Sequence, residues 1–211
     1  MPETLADDPV SVAVIDSDVV FAGRVWDVRR DRFVYAADEI VREYVAHPGA
    51  VAVLALDEQD RVLLVKQYRH PIMARDWELP AGLLDIDGEP PLTAAQRELG
   101  EEADLAATEW HLLSEFFTSP GGSDEAIRVY LARGLSTTPE VFTRTAEEAD
   151  LQKRWVSLDD VAAAVLDRRL GNVILSAAVL AACASRAGGW VSLGAADVPW
   201  PWHPRIGLRR T

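Results

Sequence analysis

The stretch that most restricts the architecture is residues 79–105, LPAGLLDIDGEPPLTAAQRELGEEADL. It begins as a Gly/Pro-rich loop, and Pro91 suits the first turn of a helix. From about residue 92 to 103 the composition is helical. Residues three and four apart share a helix face, so Glu98, Glu101 and Glu102 point the same way. Like charges at that spacing destabilise a helix by roughly 0.2–0.5 kcal/mol per pair. Two arrangements tolerate them: a solvated surface face, or a cluster with a cation among its members. Mg²⁺ prefers carboxylate and water oxygens. Ahead of the helix, the PAG segment lets backbone carbonyls approach closely. Arg97 sits beside the acids and can hold one of them through a charge-assisted fork. These neighbours favour the cation site over the plain solvated face.

The rest of the chain surrounds this helix with strand signals. Residues 10–35 alternate in a strand-like way, and residues 40–48 add another strand. Residues 49–70 predict a hairpin, with β-branched runs flanking turn chemistry at 57–60. Further strands are expected within 109–122, at 126–135 and at 153–158, with a polar loop at 136–150. One helix starts at Ser157 or Asp159 and stops at Gly171, and a buried helix follows from about residue 172. There is no internal repeat. The division expected is an arm at 1–46, a mixed body at 47–187 and an irregular tail at 188–211.

Composition excludes several classes of function. The net charge of −13 argues against nucleic acid as a main partner, because phosphate binding needs a basic face. With 49% hydrophobic residues, the 211-residue chain can bury a sizeable core. The one cysteine, Cys183, rules out an internal disulfide and fits a reducing compartment. The acidic N-terminus lacks a signal-peptide pattern. The apolar run at 173–184 has 12 residues, too few to span a bilayer. The expectation is a cytoplasmic protein with no membrane partner.

Segment 82–105 resembles the Nudix box, G-x5-E-x7-R-E-U-x-E-E-x-G-U, where U is a bulky aliphatic residue. Gly82, Glu89, Arg97, Glu98, Leu99, Glu101, Glu102 and Leu105 fill its positions. Two departures stand out. Six residues rather than five separate Gly82 from Glu89, and Asp104 replaces a glycine past the helix end. Asp tolerates the left-handed conformation usual there better than most residues. The resemblance implies an α+β fold, a Nudix-type α/β/α sandwich with a mixed sheet, plus a strand-rich N-terminal arm. It also implies hydrolysis of a nucleoside diphosphate linked to another group. Glu98, Glu101, Glu102 and the carbonyl of Ala81 are then the metal ligands, for Mg²⁺ with Mn²⁺ as the alternative, and Arg97 supports them.

The ADP-ribose pyrophosphatase group of that family has a proline about sixteen residues past the box. Pro120 stands 16 residues after Asp104. The segment SPGGSDE is similar to the group's substrate loop, with Glu125 on the terminal ribose side, and RDWELPAG would bring Arg75 to the phosphates. The base expected in the group is a glutamate from a loop after the box. Glu148 matches best, with Glu147 close behind. The group's arm is exchanged within a homodimer, which makes Arg42 and Trp26 the adenine candidates; Trp26 serves equally well as a core residue. The function expected is conversion of ADP-ribose to AMP and ribose 5-phosphate. The alternatives are another small-molecule substrate (NADH, coenzyme A or a sugar nucleotide), or a non-catalytic ADP-ribose-binding module.

Overall fold

A computed structural model describes residues 5–138, 142 and 150–203, and the structural statements below concern those residues. The chain divides into two compact units. One is Met1–Pro48, Ser119–Glu125 and Trp200–Thr211; the other is Gly49–Thr118 with Ala126–Pro199.

In the N-terminal unit, three strands are mostly exposed or half-buried, with Asp31 buried in the middle one. β1 (Ala13–Phe21), β2 (Asp27–Tyr35) and β3 (Asp38–Ala46) form one antiparallel sheet in that order. Polar pairs run across its strands: Arg32 reaches Glu39 at 2.9 Å and Arg30 reaches Glu43 at 2.8 Å. Exposed pairs of this kind contribute roughly 0.2–1 kcal/mol each. Segment 119–125 lies along the end of β3. Val45 N–H donates to Gly122 O, and His47 N–H to the Asp124 carboxylate.

The main unit holds two sheets and three helices. Strands β4 (Ala50–Ala55), β7 (Ala81–Leu83), β8 (Leu105–Phe117), β9 (Ala126–Thr137) and β11 (Gly194–Ala195) form a mixed sheet in the order β11-β8-β9-β4-β7. The β4–β9 pair is parallel and the others are antiparallel. Strands β5 (Arg61–Arg69), β6 (Ala74–Glu78) and β10 (Gln152–Ser157) form the second sheet, in the order β10-β5-β6. All of β4 is buried. Its alternate residues Ala52 and Leu54 enter the cluster that contains Leu175, Ala178, Val179 and Ala182. Those four come from α3 (Val173–Ala187), while α1 (Pro91–Ala103) also packs on β4. A strand covered on both faces needs a continuous apolar run, and AVAVLA is one.

That burial corrects the expected hairpin at 49–70. The turn forms, with Asp57 N–H donating to Arg61 O at 3.0 Å. Its strands, however, join different sheets, because β4 pairs with β7 and β9 whereas β5 pairs with β6 and β10. Neither strand has the one wet face that a two-stranded hairpin leaves exposed. The helix starting near Ser157 also stops earlier than expected. α2 (Leu158–Leu166) ends before a left-handed Arg168, five residues ahead of Gly171. Its start agrees with the sequence, since Ser157 Oγ accepts the Asp160 N–H at 3.1 Å. Asn172 caps α3 likewise, accepting the Leu175 N–H at 2.9 Å.

Candidate active site

The acid-bearing helix α1 starts at Pro91, whose missing N–H costs nothing in the first turn. It stops at Asp104, which adopts the left-handed conformation at φ 59° and ψ 34°. Its inward face carries small residues, Ala94, Ala95, Gly100 and Ala103 beside Leu99, so the helix lies close to β4 and β7. Strand β7 pairs Ala81 with Ala52 and Gly82 with Val51, at the edge of the mixed sheet.

Two contacts join the helix to this edge. Glu102 is only 5% exposed, and its carboxylate accepts the Ala81 N–H at 3.0 Å. Burying a carboxylate without such partners would cost several kcal/mol. At Gly82 a Cβ would fall 1.9 Å from Glu98 Oε1. The glycine therefore leaves the space in which the Glu98 carboxylate rests against the backbone.

Arg97 gathers the remaining acids. Its Nε and Nη2 each donate to Glu89 at 3.0 Å, while Nη1 donates to Glu98 at 2.6 Å and to Glu101 at 3.0 Å. The fork from Glu89, working against burial, together with Glu98 and Glu101, holds this guanidinium still further above its ordinary pKa. The extra loop residue thus leaves Glu89 within reach of Arg97. A turn absorbs it, with Glu89 N–H donating to Ile86 O and Gly88 at φ 78°.

The shared face predicted from spacing becomes two sets of contacts. Glu98 and Glu101 turn to Arg97, and Glu102 turns to Ala81. Among the described residues no three acidic, histidine or cysteine side chains converge on one point as a ready cage. The positive charge among the acids is the guanidinium itself. The donors are nevertheless hard oxygens, fixed on a helix and a sheet edge, of the type a small divalent cation takes.

Arg75 lies on β6 in the same unit, where Nη1 meets the Asp150 carboxylate at 2.5 Å and Nη2 the Asp150 carbonyl at 3.0 Å. Trp26, Arg42, Pro120 and Glu125 lie in the N-terminal unit. There Trp26 stacks on His47 with centroids 4.4 Å apart, and Glu125 approaches His47 Nε2 at 3.2 Å. Arg42 is exposed and donates to its neighbour's carbonyl, Val41 O, at 2.8 Å. Pro120 sits in the turn where Ser119 O accepts the Gly122 and Ser123 N–H groups. Glu147 and Glu148 lie outside the described residues.

Three features near these residues carry little sequence signal. Glu78 is 5% exposed and takes a two-pronged pair from Arg69 at 2.7 Å, with Gln67 at 3.3 Å. His70, next to Arg69, bonds the Tyr68 hydroxyl at 3.1 Å. Lys153 reaches the end of α1, donating to Ala103 O at 3.3 Å and to the Asp104 carboxylate. Only an Asp in place of the box glycine hints at a cation nearby. Elsewhere in the main unit, a cleft of about 820 Å³ is lined by Trp155, Trp190, Arg61 and Arg133 and holds none of residues 97–102. Its cations are already engaged, Arg133 on the Trp190 ring at 4.0 Å and Arg61 with Asp57 at 2.7 Å.

The chain is similar to known proteins in sequence and in fold. Residues 46–175 match the NUDIX domain family. An ADP-ribose pyrophosphatase of Mycobacterium tuberculosis is 44% identical over 177 residues, covering 82% of this chain and 84% of that protein. An ADP-ribose pyrophosphatase of Bacillus subtilis is 36% identical over 157 residues, covering 74% and 84%. A crystal structure of an ADP compounds hydrolase shares the fold with a TM-score of 0.72, at 18% identity, covering 87% of this chain and 98% of that one.

Proposed function

The chain belongs to the Nudix hydrolase family, and from that premise we propose that it hydrolyses ADP-ribose to AMP and ribose 5-phosphate. The observation that carries the reading is the box constellation, Glu89–Arg97–Glu98–Glu101 with Glu102 against Ala81, in a chain so similar to two ADP-ribose pyrophosphatases. Nudix hydrolases generally use a divalent metal. Here we assign Mg²⁺, with Mn²⁺ as the substitute, to Glu98, Glu101, Glu102 and the Ala81 carbonyl. When bound, it would neutralise pyrophosphate oxygens and make water a better nucleophile. A net charge of −13 makes such a counter-charge necessary for an anionic substrate.

The chain's own groups supply the rest of the reaction. Glu148, or Glu147 beside it, accepts the proton of the attacking water. A new P–O bond forms at one phosphorus, the bridging P–O bond breaks, and one water is consumed per AMP and ribose 5-phosphate released. Arg75 exchanges Asp150 for the phosphates. Arg97 keeps Glu98 and Glu101 oriented through its fork to Glu89. Glu125 and the Pro120 turn serve the terminal ribose, and Trp26 and Arg42 serve the adenine. The arm at 1–46 joins a homodimer that works in the cytoplasm.

A substrate panel with Mg²⁺ or Mn²⁺ and product identification tests the activity. ADP-ribose should be cleaved faster than NADH, coenzyme A or sugar nucleotides. Equal turnover across the panel refutes the specificity, and tight ADP-ribose binding without cleavage favours the non-catalytic module. Light scattering in solution should give twice the 23.2 kDa chain mass.

A further inference from the structure

His47 stands where two segments of the N-terminal unit meet. It follows β3 and precedes Pro48, and the residue before a proline is held near the extended conformation. Three of its groups are then engaged. Its backbone N–H donates to the Asp124 carboxylate at 2.7 Å. Its ring lies against the Trp26 indole, with centroids 4.4 Å apart and planes 25° from parallel. Its Nε2 lies 3.2 Å from Glu125 Oε1, and its side chain is only 8% exposed.

The segment that supplies both acids is itself pinned to β3. Val45 N–H donates to Gly122 O at 2.9 Å, and Val45 O accepts the Ser123 hydroxyl at 3.2 Å. Glu125 N–H donates in turn to Ser123 Oγ at 3.2 Å. The Glu125 backbone is therefore held by Ser123, and His47 meets the end of its side chain. Burial lowers the pKa of the imidazole, against the pull of Glu125 and Asp124. A neutral ring with its proton on Nε2 still donates to a carboxylate, so this contact needs no ion pair. Trp26, His47 and Glu125 all belong to the N-terminal unit. One imidazole thus touches both of the others, its face on the indole and its edge on the carboxylate.

We propose that His47 is a positioning residue that braces the two ends of the substrate site, setting the plane of Trp26 for the adenine and the direction of the Glu125 carboxylate for the terminal ribose. The proposal rests on the reading that Trp26 and Glu125 meet those two ends. A ring stacked on one face of an indole leaves the opposite face for a second planar group, and Trp26 is half-buried rather than enclosed. His47 meets no reacting atom in this scheme. Its contribution is to affinity, because groups already held in the bound arrangement lose less freedom when substrate arrives.

Two substitutions separate the face of the ring from its edge. His47→Phe keeps a flat ring for Trp26 and loses the donor. His47→Gln keeps a side-chain N–H for Glu125 and loses the ring. Isothermal titration of the full chain with AMP and with ribose 5-phosphate, the two halves of ADP-ribose, reads the two ends separately. His47→Gln should weaken AMP by on the order of fivefold and leave ribose 5-phosphate within about twofold. His47→Phe should do the reverse, weakening ribose 5-phosphate by on the order of tenfold. Both should raise KM for ADP-ribose with kcat within about twofold. Unchanged binding in both variants overturns the brace. So does equal weakening of both halves in each, or a loss that only follows the folded fraction in circular dichroism. If one variant fails to fold, the contrast between the two halves in the other decides. Trp26→Ala and Glu125→Gln separate the two readings. If they raise KM and the His47 variants do not, the brace alone falls; if they too leave KM unchanged, the assignment of the substrate ends falls and takes the brace with it.

Discussion

Gly82 and Glu98 illustrate how single atoms organise the site. The glycine is needed for what it lacks, since a Cβ would overlap the Glu98 carboxylate at 1.9 Å. The obstacle is the far end of a flexible side chain, so Gly82→Ala should fold with little change in melting temperature. Glu98 must swing aside, and kcat should fall; activity equal to the parent's would show that this resting place is irrelevant. Glu102 makes the complementary case. Glu102→Gln keeps a carbonyl oxygen for the Ala81 N–H but loses the charge. Turnover should drop by more than the roughly 10–100-fold that loss of an outer-shell metal partner costs. Circular dichroism should be unchanged, and near-normal turnover would remove Glu102 from the mechanism. At this scale the sequence was informative about residue type and spacing. It was silent on which oxygen meets which donor, because Ala81 and Glu102 are 21 positions apart and meet only through sheet and helix packing.

Among the elements, the start of α2 and the stop of α1 were the most legible and strand partners the least. Ser157, one of the two starts the sequence offered beside Asp159, caps α2, and in the structure Asn172 caps α3. Asn172→Ala should cost about 1 kcal/mol. Denaturant unfolding reads this as a lower midpoint at constant slope, and an unchanged midpoint would mean that the cap contributes nothing. Asp104 likewise ends α1 in the left-handed conformation expected of a glycine substitute. Strand pairing is different. The run at 49–70 has a hairpin's turn and a hairpin's residues, yet the fold sends β4 and β5 into separate sheets. β4 is apolar throughout and β5 is apolar and buried from Val62 to Val65, so along these stretches no wet face existed to fix their mutual register.

On the scale of the whole molecule, each unit has its own sensitivity. His47 in the N-terminal unit is the clearest case. Burial depresses its pKa, against the pull of Glu125 and Asp124. The neutral imidazole is then the form the folded state favours. Its contribution to stability is complete above the unfolded value of 6.5 and is lost as the pH falls through the lower folded value. Thermal melts from pH 8 to pH 5 should show a decline that His47→Gln flattens; parallel curves for the two proteins would exclude His47 as the cause. No helix among the described residues is long and apolar enough to cross a membrane.

What the sequence determined by itself is everything that depends on near neighbours along the chain. That includes the α1 helix, the shared face of its glutamates, the start of α2 and the register of the box from Arg97 onward. These follow from the 3.6-residue period and from side chains that bond backbone a few positions away. The tertiary structure decided the contacts that span tens of residues. It folded the extra loop residue into a turn so that Glu89 still grips Arg97, and it drew Glu102 to the Ala81 backbone. It also brought Phe142 and Lys153 to the end of the acidic helix. Such contacts are selected by how buried faces close over one another, and no local pattern encodes which distant partner will be there.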